Sequence, residues 1–244
     1  MYQTIVSISG RAGTGISRPF FCETEDGNFH YLKRDNISHD QLVIEYLVSR
    51  LAEECGLPVA PVSIVEIPSD LTRYAVVERA DEFCPGSAFA SQRIPFADDL
   101  RISHLRQIPE ETKMRCLLFD WWTRNPDRRL DILGGDPNIL WDPGAQSISL
   151  IDHDNCLDPE FDPVEFRNEH VFRDSRPFLE TRFFEKWRTK FESSIYNLGQ
   201  IWDEIPQDWL LDKTGTTRIS FTQQEVESQL IKPELAADAL LPGA

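Results

Sequence analysis

The 244-residue sequence lacks any run of 18 apolar residues, and this absence predicts that no helix spans a membrane. Its first ten residues, MYQTIVSISG, lack the basic and apolar regions of a signal peptide, so we expect no secretion signal. Basic residues are scarce, since 25 Lys and Arg stand against 41 Asp and Glu for a formal net charge of −16. Because duplex-binding proteins normally carry positive charge, this balance argues against direct DNA binding.

Cysteine is also sparse, and its spacing suits neither a disulfide framework nor a zinc knuckle. The five cysteines are scattered and include no CxxC pair; they are Cys22, Cys55, Cys84, Cys116 and Cys156. We therefore expect a reduced, cytoplasmic protein. Apolar residues make up 41% of the chain, which at this length predicts a folded protein with a sizeable core.

The first 80 residues predict a small sheet with one helix. Five segments are rich in strand-forming residues and bounded by turn residues. They are 4–9, 18–23, 29–33, 59–67 and 73–77. Ser38 and Gln41 have the spacing of a capping box that opens a helix, and Gly56 followed by Pro58 ends it. We therefore predict an N-terminal lobe over residues 1–80.

The remaining residues, 81–244, predict a second and mostly helical lobe, and we expect the two lobes to form one domain together. Pro109 with two following glutamates is typical of a helix start, and apolar spacing predicts a long helix over 180–205. Two strand-like segments flank a turn at Asp142, which predicts a hairpin. The stretch 81–108 shows no regular pattern.

Three glycines lie close together between the first two predicted strands. Gly10, Gly13 and Gly15 would let backbone N–H groups approach phosphate oxygens. No Gly-Lys-Ser/Thr follows them, so this is not a Walker A loop. An ordinary flexible hairpin loop is the alternative interpretation.

A lysine and a glutamate stand in positions that favour an ion pair. Lys33 ends the third predicted strand, and Glu45 lies near the apolar face of the following helix. A carboxylate there is costly unless it is paired. Kinases use a strand lysine paired with a helix glutamate to hold the phosphates of ATP. The alternative for Lys33 is a solvated lysine at the end of a strand.

Three polar residues follow the order found in phosphoryl-transfer sites. Asp127 comes after an apolar helix, Asn138 lies eleven residues later, and Asp152 closes the predicted hairpin. In such sites the first aspartate orients the acceptor hydroxyl, while the asparagine and the second aspartate offer hard oxygen ligands to Mg²⁺. The alternative is a polar loop with capping aspartates.

At these residues the sequence resembles the HipA-like protein kinases, relatives of the phosphoinositide-kinase-like fold. The similarity spans roughly residues 4–160 and includes EYLVSRLAEECGLPVAP, which resembles the helix-C segment of the family, and Asn125-Pro-Asp127-Arg, which resembles its catalytic loop. The resemblance implies a two-lobed α+β kinase fold, with a small antiparallel-sheet N-lobe carrying one helix and a mostly helical C-lobe. It also implies ATP and Mg²⁺ as cofactors.

A second segment, Val76-Val-Glu-Arg-Ala-Asp81, resembles the hinge of the family. This implies that the backbone of Glu78 and Ala80 holds adenine. The resemblance further implies autophosphorylation before the glycine loop, where Ser7 and Ser9 are the candidates. The alternative is two strand serines without a special role.

The sequence departs from the family pattern in the catalytic region. The gap between Asp127 and Asn138 is longer than usual, so Asp131 and Asp136 are rivals for a catalytic role, and Asp154 is a further candidate at the site. We expect transfer of phosphate to serine or threonine of a protein substrate, with a regulatory protein as a second partner and no membrane contact. A nucleotide-binding pseudokinase or partner-binding module, and a small-molecule kinase, are the alternatives.

Overall fold

A computed structural model describes residues 2–13, 17–78, 80–131, 134–178, 180–231 and 240. Its strands are β1 Gln3–Arg11, β2 Phe20–Thr24, β3 Phe29–Lys33, β4 Val62–Ile67, β5 Gly86–Gln92, β6 Asp98–Asp99, β7 Ile139–Asp142 and β8 Ser147–Leu150. Its helices are α1 His39–Glu54, α2 Ser69–Tyr74, α3 Glu110–Trp122, α4 Pro163–Glu169, α5 Thr181–Ile195, α6 Leu198–Asp203 and α7 Gln223–Ile231. The fold is therefore mixed α+β.

The chain divides into two compact units, each built from three stretches. The first unit comprises Met1–Tyr46, Ala60–Ile94 and Ile205–Ser220. The second unit comprises Leu47–Val59, Pro95–Glu204 and Phe221–Ala244. Helix α1 begins in the first unit and ends in the second. The lobe boundary near residue 80 stays a prediction from the sequence.

The first unit is a closed barrel with the strand order β1-β2-β3-β5-β4. Neighbouring strands are antiparallel, except that β1 and β4 pair in parallel. Alternate residues along each strand point to the same face, and those that point inward form the barrel core. This core includes Ile5, Phe20, Cys22, Leu32, Val65, Ile67, Ala88 and Ala90. The N-terminal sheet that the sequence predicts is thus a barrel with one parallel pair.

The fifth strand differs from the prediction. Residues 73–77 do not form a strand, because α2 continues to Tyr74 and the next residues are irregular. The fifth strand is β5, which lies within the stretch that showed no pattern. It pairs with β3 on one side and β4 on the other, and its centre at Ala88 to Ala90 is fully buried. A strand buried in this way needs no alternation of apolar and polar residues, so periodicity does not reveal it.

The second unit packs helices around an aromatic core and contains the predicted hairpin. Strands β7 and β8 are antiparallel and pair Ile139 with Leu150, which confirms the hairpin. The predicted long helix is two helices, α5 and α6. The ring of Trp122 on α3 stacks on Phe191 of α5 with the centroids 4.8 Å apart. Among the helices described, none is both long enough and apolar enough to cross a membrane.

Candidate active site

In the first unit, the structure brings Lys33 and Glu45 together. Lys33 ends β3, Glu45 lies on α1, and the Nζ–Oε2 distance is 2.9 Å. The side chains are only 6% and 2% exposed, so either charge would be costly to bury without the opposite charge beside it. Helix α1 begins with the predicted capping box, in which the Ser38 N–H donates to Gln41 Oε1 and the Gln41 N–H donates to Ser38 Oγ, both at 3.2 Å. Local sequence thus places Glu45 on the helix, and packing places it against Lys33.

The glycine loop follows β1, which is distorted before the loop begins. Register shifts interrupt the β1–β2 pairing between Ile5 and Ser7 and between Ile8 and Gly10, and Gly10 has φ of +141°. Residues with a Cβ rarely adopt this conformation, so the backbone at this position requires glycine. Gly13 is described, whereas Gly15 lies outside the described residues. β-Bulges of this kind redirect a strand next to a functional loop.

Two arginines hold the ends of this loop. Arg11 donates to the carbonyl oxygen of Arg18 at 2.7 Å, and its Nη1 is 2.7 Å from Glu82 Oε2. Arg18 forms a two-pronged contact with the carboxylate of Glu78, with both N–O distances at 2.8 Å. Glu78, which lies in the segment predicted to hold adenine, is therefore the counterion of Arg18, and Glu82 just after that segment pairs with Arg11. The adenine role of Glu78 and Ala80 stays a prediction.

In the second unit, Asp127 is surrounded by amide groups. Its Oδ2 accepts hydrogen bonds from Asn138 Nδ2 at 3.2 Å and Asn155 Nδ2 at 3.1 Å. Its backbone N–H donates to Asn125 Oδ1 at 3.0 Å. The long gap between Asp127 and Asn138 does not separate the two residues in space. Sequence reasoning missed Asn155, for which the only signal was its position three residues after Asp152.

Asn138 and Asp152 have unusual backbones. Their φ angles are +53° and +55°, in the left-handed region that L-residues other than glycine rarely adopt. Such a conformation costs about 1–2 kcal/mol at each residue, so the surrounding structure must hold it. The metal-binding roles that the sequence suggests for Asn138 and Asp152 stay predictions.

The same region offers oxygen donors that suit Mg²⁺. Carboxylate oxygens of Asp152 and Asp154 lie within 4.8 Å of each other. Because the amide nitrogen of Asn138 donates to Asp127, its Oδ1 is the atom that could coordinate a metal. Two carboxylates and an amide oxygen form the hard donor set that Mg²⁺ prefers, so the residues fit this ion.

The two rival aspartates have local structural roles. Asp136 Oδ1 accepts from the backbone N–H of Asn138 at 3.2 Å, which caps the turn that leads into β7. Asp131 is exposed, and its backbone exchanges hydrogen bonds of 3.0 and 3.2 Å with that of Gly134. Whether either aspartate takes part in the reaction stays a prediction from the sequence.

A buried charged network lies behind Asp127, and sequence reasoning missed it. Asp120 on α3 lies 2.9 Å from Arg128 Nε and 3.1 Å from His170 Nε2. Although burial alone would raise the pKa of Asp120, Arg128 and His170 hold it below its usual range. Burial lowers the pKa of His170, and its Nδ1 accepts from the Phe172 N–H at 3.1 Å. We therefore place the proton of a neutral His170 on Nε2, where it donates to Asp120.

His153, the residue after Asp152, is fully buried. Its Nδ1 lies 3.1 Å from the hydroxyl oxygen of Ser49 on α1. Ser49 and His153 both belong to the second unit, so this contact joins the C-terminal part of α1 to the loop that carries Asp152.

Comparison with known proteins identifies similarity at the levels of family and fold. The family model described as HipA-like kinase matches residues 5–237, which confirms the resemblance inferred from the sequence. The structure of a Helicobacter pylori proinflammatory kinase, CtkA, matches with a TM-score of 0.56 at 10% identity, over 97% of this chain and 92% of that chain. At this identity the likeness shows the fold alone.

The FAT and kinase domain of CtTel1 matches at 12% identity and a TM-score of 0.37, over 98% of this chain and 20% of that chain. This score is too low to carry an argument. No curated protein matches the sequence.

Proposed function

Because the chain belongs to the HipA-like kinase family, we propose that it transfers the γ-phosphoryl group of ATP to a serine or threonine hydroxyl of a protein, with Mg²⁺ as its metal. The family match and the kinase fold support phosphotransfer in general. One observation carries the proposal: the carboxylate of Asp127 accepts side-chain amide hydrogen bonds from Asn138 and Asn155 on a single oxygen. In this proposal the barrel unit acts as the sheet lobe and the second unit as the helical lobe.

The first unit supplies the groups that hold the nucleotide. Lys33 binds the α- and β-phosphates as a compact positive charge, and Glu45 orients its ammonium group at 2.9 Å. Backbone N–H groups around Gly10 and Gly13 approach the phosphates. The backbone at Glu78 and Ala80 is assigned to adenine.

Asp127 acts on the acceptor hydroxyl. Its Oδ2 is occupied by two amide donors, so Oδ1 is the oxygen that receives the hydroxyl proton. As the hydroxyl oxygen forms its bond to the γ-phosphorus, the bond from that phosphorus to the β-phosphate oxygen breaks and the proton passes to Oδ1. The two amide donors fix the carboxylate in the required orientation, and positioning of this kind supplies a large part of the rate in phosphoryl transfer.

Asn138 Oδ1 and the carboxylate of Asp152 would hold Mg²⁺, and Asp154 is a third donor within reach of Asp152. When bound, Mg²⁺ neutralises the negative charge of the phosphate oxygens. Asn138 already has its side chain held at the site, because its Nδ2 donates to Asp127 Oδ2 at 3.2 Å.

The assignment is tested by replacing Asp127 with asparagine, which keeps the shape of the side chain and removes its capacity to take a proton. We expect transfer of radiolabelled phosphate to fall by about 10²–10⁴-fold, with ATP binding retained in calorimetry. Asp131→Asn tests the rival residue, and Asp70→Asn, an exposed change on α2, is the control. Near wild-type transfer by Asp127→Asn, or the loss in Asp131→Asn instead, would contradict the assignment.

The same experiment separates the alternative functions. Binding of ATP without transfer to itself or to lysate proteins would support a pseudokinase or partner-binding module. Transfer to small hydroxyl compounds but not to protein would support a small-molecule kinase. The cytoplasmic location and the regulatory protein partner stay predictions.

Self-regulation through Ser7 or Ser9 is part of the proposal. The Ser7 hydroxyl donates to Glu23 at 3.1 Å and is half-buried, whereas Ser9 is exposed on β1. A phosphate adds up to about two negative charges beside the glycine loop, which would weaken binding of ATP. Mass spectrometry after incubation with ATP and Mg²⁺ should find phosphate on the peptide that contains both serines, and none in Asp152→Ala. Equal modification in both proteins, or none in active wild type, would refute this part.

A further inference from the structure

Asp120 joins two branches of the buried charged network. Its Oδ1 accepts from Asn125 Nδ2 and from Arg128 Nε, each at 2.9 Å, and its Oδ2 is 3.1 Å from His170 Nε2. Through Asn125 the network reaches the backbone N–H of Asp127 at 3.0 Å. Asp120 and Arg128 are fully buried, so both charges are removed from water.

Arg128 extends the network to the two residues with left-handed backbones. Its Nη1 donates to the carbonyl oxygen of Asn138 at 2.6 Å and to that of Ile151 at 3.2 Å. The Ile151 carbonyl belongs to the peptide bond that joins it to Asp152. The Ile151 N–H in turn donates to the Asn138 carbonyl at 3.0 Å. One guanidinium group therefore contacts the backbone at both proposed metal residues.

We propose that the Asp120–Arg128 pair is a positioning device that sets the backbone of Asn138 and Asp152 for metal binding, and that of Asp127 through Asn125. Neither residue of the pair touches a reacting atom. This inference rests on the proposed function, because it assumes that these residues bind a divalent metal.

The chemistry of the pair favours positioning over stability. A buried ion pair can often be replaced by apolar residues without loss of stability, so it is weak evidence for a purely structural role. Arginine instead offers several N–H donors in a rigid planar fork, which can bind a carboxylate on one edge and two carbonyl oxygens on another. A lysine keeps the charge but cannot reproduce this geometry.

The test measures binding of Mn²⁺, as a paramagnetic substitute for Mg²⁺, in the presence of a non-hydrolysable ATP analogue, by electron paramagnetic resonance. We expect Arg128→Lys to weaken Mn²⁺ binding by about tenfold or more, as changes to groups that orient metal ligands commonly do. Binding of the analogue without metal should stay within about twofold of wild type. Arg129→Lys is the matched control, because this neighbour is 40% exposed and pairs with Glu165 and Glu169.

A second control separates positioning from loss of stability. Leu118→Ala removes a buried apolar side chain from the same helix, α3, and is expected to lower the melting temperature without removing a polar group. If a folded Leu118→Ala protein weakens Mn²⁺ binding as much as Arg128→Lys does, the positioning role is rejected. If Arg128→Lys does not melt cooperatively, the same measurement on Asp120→Asn decides.

The outcomes for the two proposals differ. Wild-type protein that binds no Mn²⁺ with the analogue would contradict the proposed function. Wild-type protein that binds Mn²⁺, with a folded Arg128→Lys that binds it equally well, would overturn only the positioning role. Loss of folding in both Arg128→Lys and Asp120→Asn would assign the pair to stability and reject the inference.

Discussion

The contact between Ser49 and His153 predicts a measurable coupling between helix α1 and the loop that carries Asp152. The distance from His153 Nδ1 to Ser49 Oγ is 3.1 Å, and both residues are buried, with exposures of 0% and 1%. Ser49→Ala removes the hydroxyl and leaves the ring nitrogen without this partner, which should destabilise the protein by about 1–3 kcal/mol. His153→Phe keeps an aromatic ring but removes both ring nitrogens, including the Nδ1 that faces Ser49.

The double variant, Ser49→Ala with His153→Phe, shows whether loss of the hydrogen bond is what lowers the stability of the single variants. When both polar partners are removed together, no buried group of this pair is left unsatisfied, so the two single costs should not add. We expect the double variant to be more stable than the sum of the single changes implies by about 1 kcal/mol. For a protein of this size, 1 kcal/mol corresponds to about 2–4 °C in melting temperature.

The assay is denaturation of the four proteins, followed by tryptophan fluorescence and repeated by thermal melting. Ser193→Ala serves as a control, because this exposed serine also lies on a helix and its hydroxyl donates to the carbonyl oxygen of Lys190 at 2.7 Å. Additivity of the single changes to within about 0.3 kcal/mol would refute the coupling.

Other predictions concern different parts of the fold. Lys33→Met should reduce phosphate transfer by about 10²-fold or more, because the phosphates of ATP lose their positively charged partner. A radiolabel assay measures the transfer, and an unchanged rate would contradict the phosphate-binding role of Lys33. Gly135→Ala should lower the melting temperature more than Gly134→Ala does, since both glycines have positive φ but an added Cβ at Gly135 would lie 2.6 Å from the Arg129 carbonyl oxygen. Burial lowers the pKa of His170 in the folded state, so the unfolded state binds more protons near pH 6. The folded protein therefore loses stability as the pH falls below the unfolded pKa of this residue, which is about 6.5. The free energy of unfolding of His170→Gln, measured between pH 5 and 7, should therefore depend less steeply on pH than that of wild type, and equal slopes would refute this.

Much of the architecture could be predicted because it depends on local chemistry. The Ser38 and Gln41 box forms between residues three apart, and the β7–β8 hairpin closes around its own turn. The position of Glu45 near the apolar face of α1 indicated a paired carboxylate, since burial of an unpaired charge is costly. The capping box and the hairpin can be predicted from a few neighbouring residues, and the pairing of Glu45 can be predicted from the cost of burying an unpaired charge.

The fifth strand and the network around Asp120 depended on tertiary structure. Strand β5 is defined by its two partner strands, and its small residues carry no periodic signal. His170 lies 50 residues after Asp120, and nothing in the sequence near either residue indicates its partner.

The sequence by itself determined the order of the site residues, the helix start that places Glu45 and the hairpin between Asn138 and Asp152, because each follows from local propensity or the cost of an unpaired charge. Only the tertiary structure decided that Asn138 and Asn155 meet at one oxygen of Asp127 and that Arg128 contacts the backbone on both sides of the hairpin. Those contacts depend on how distant segments pack, and buried polar groups accept whichever partners packing brings within hydrogen-bond distance.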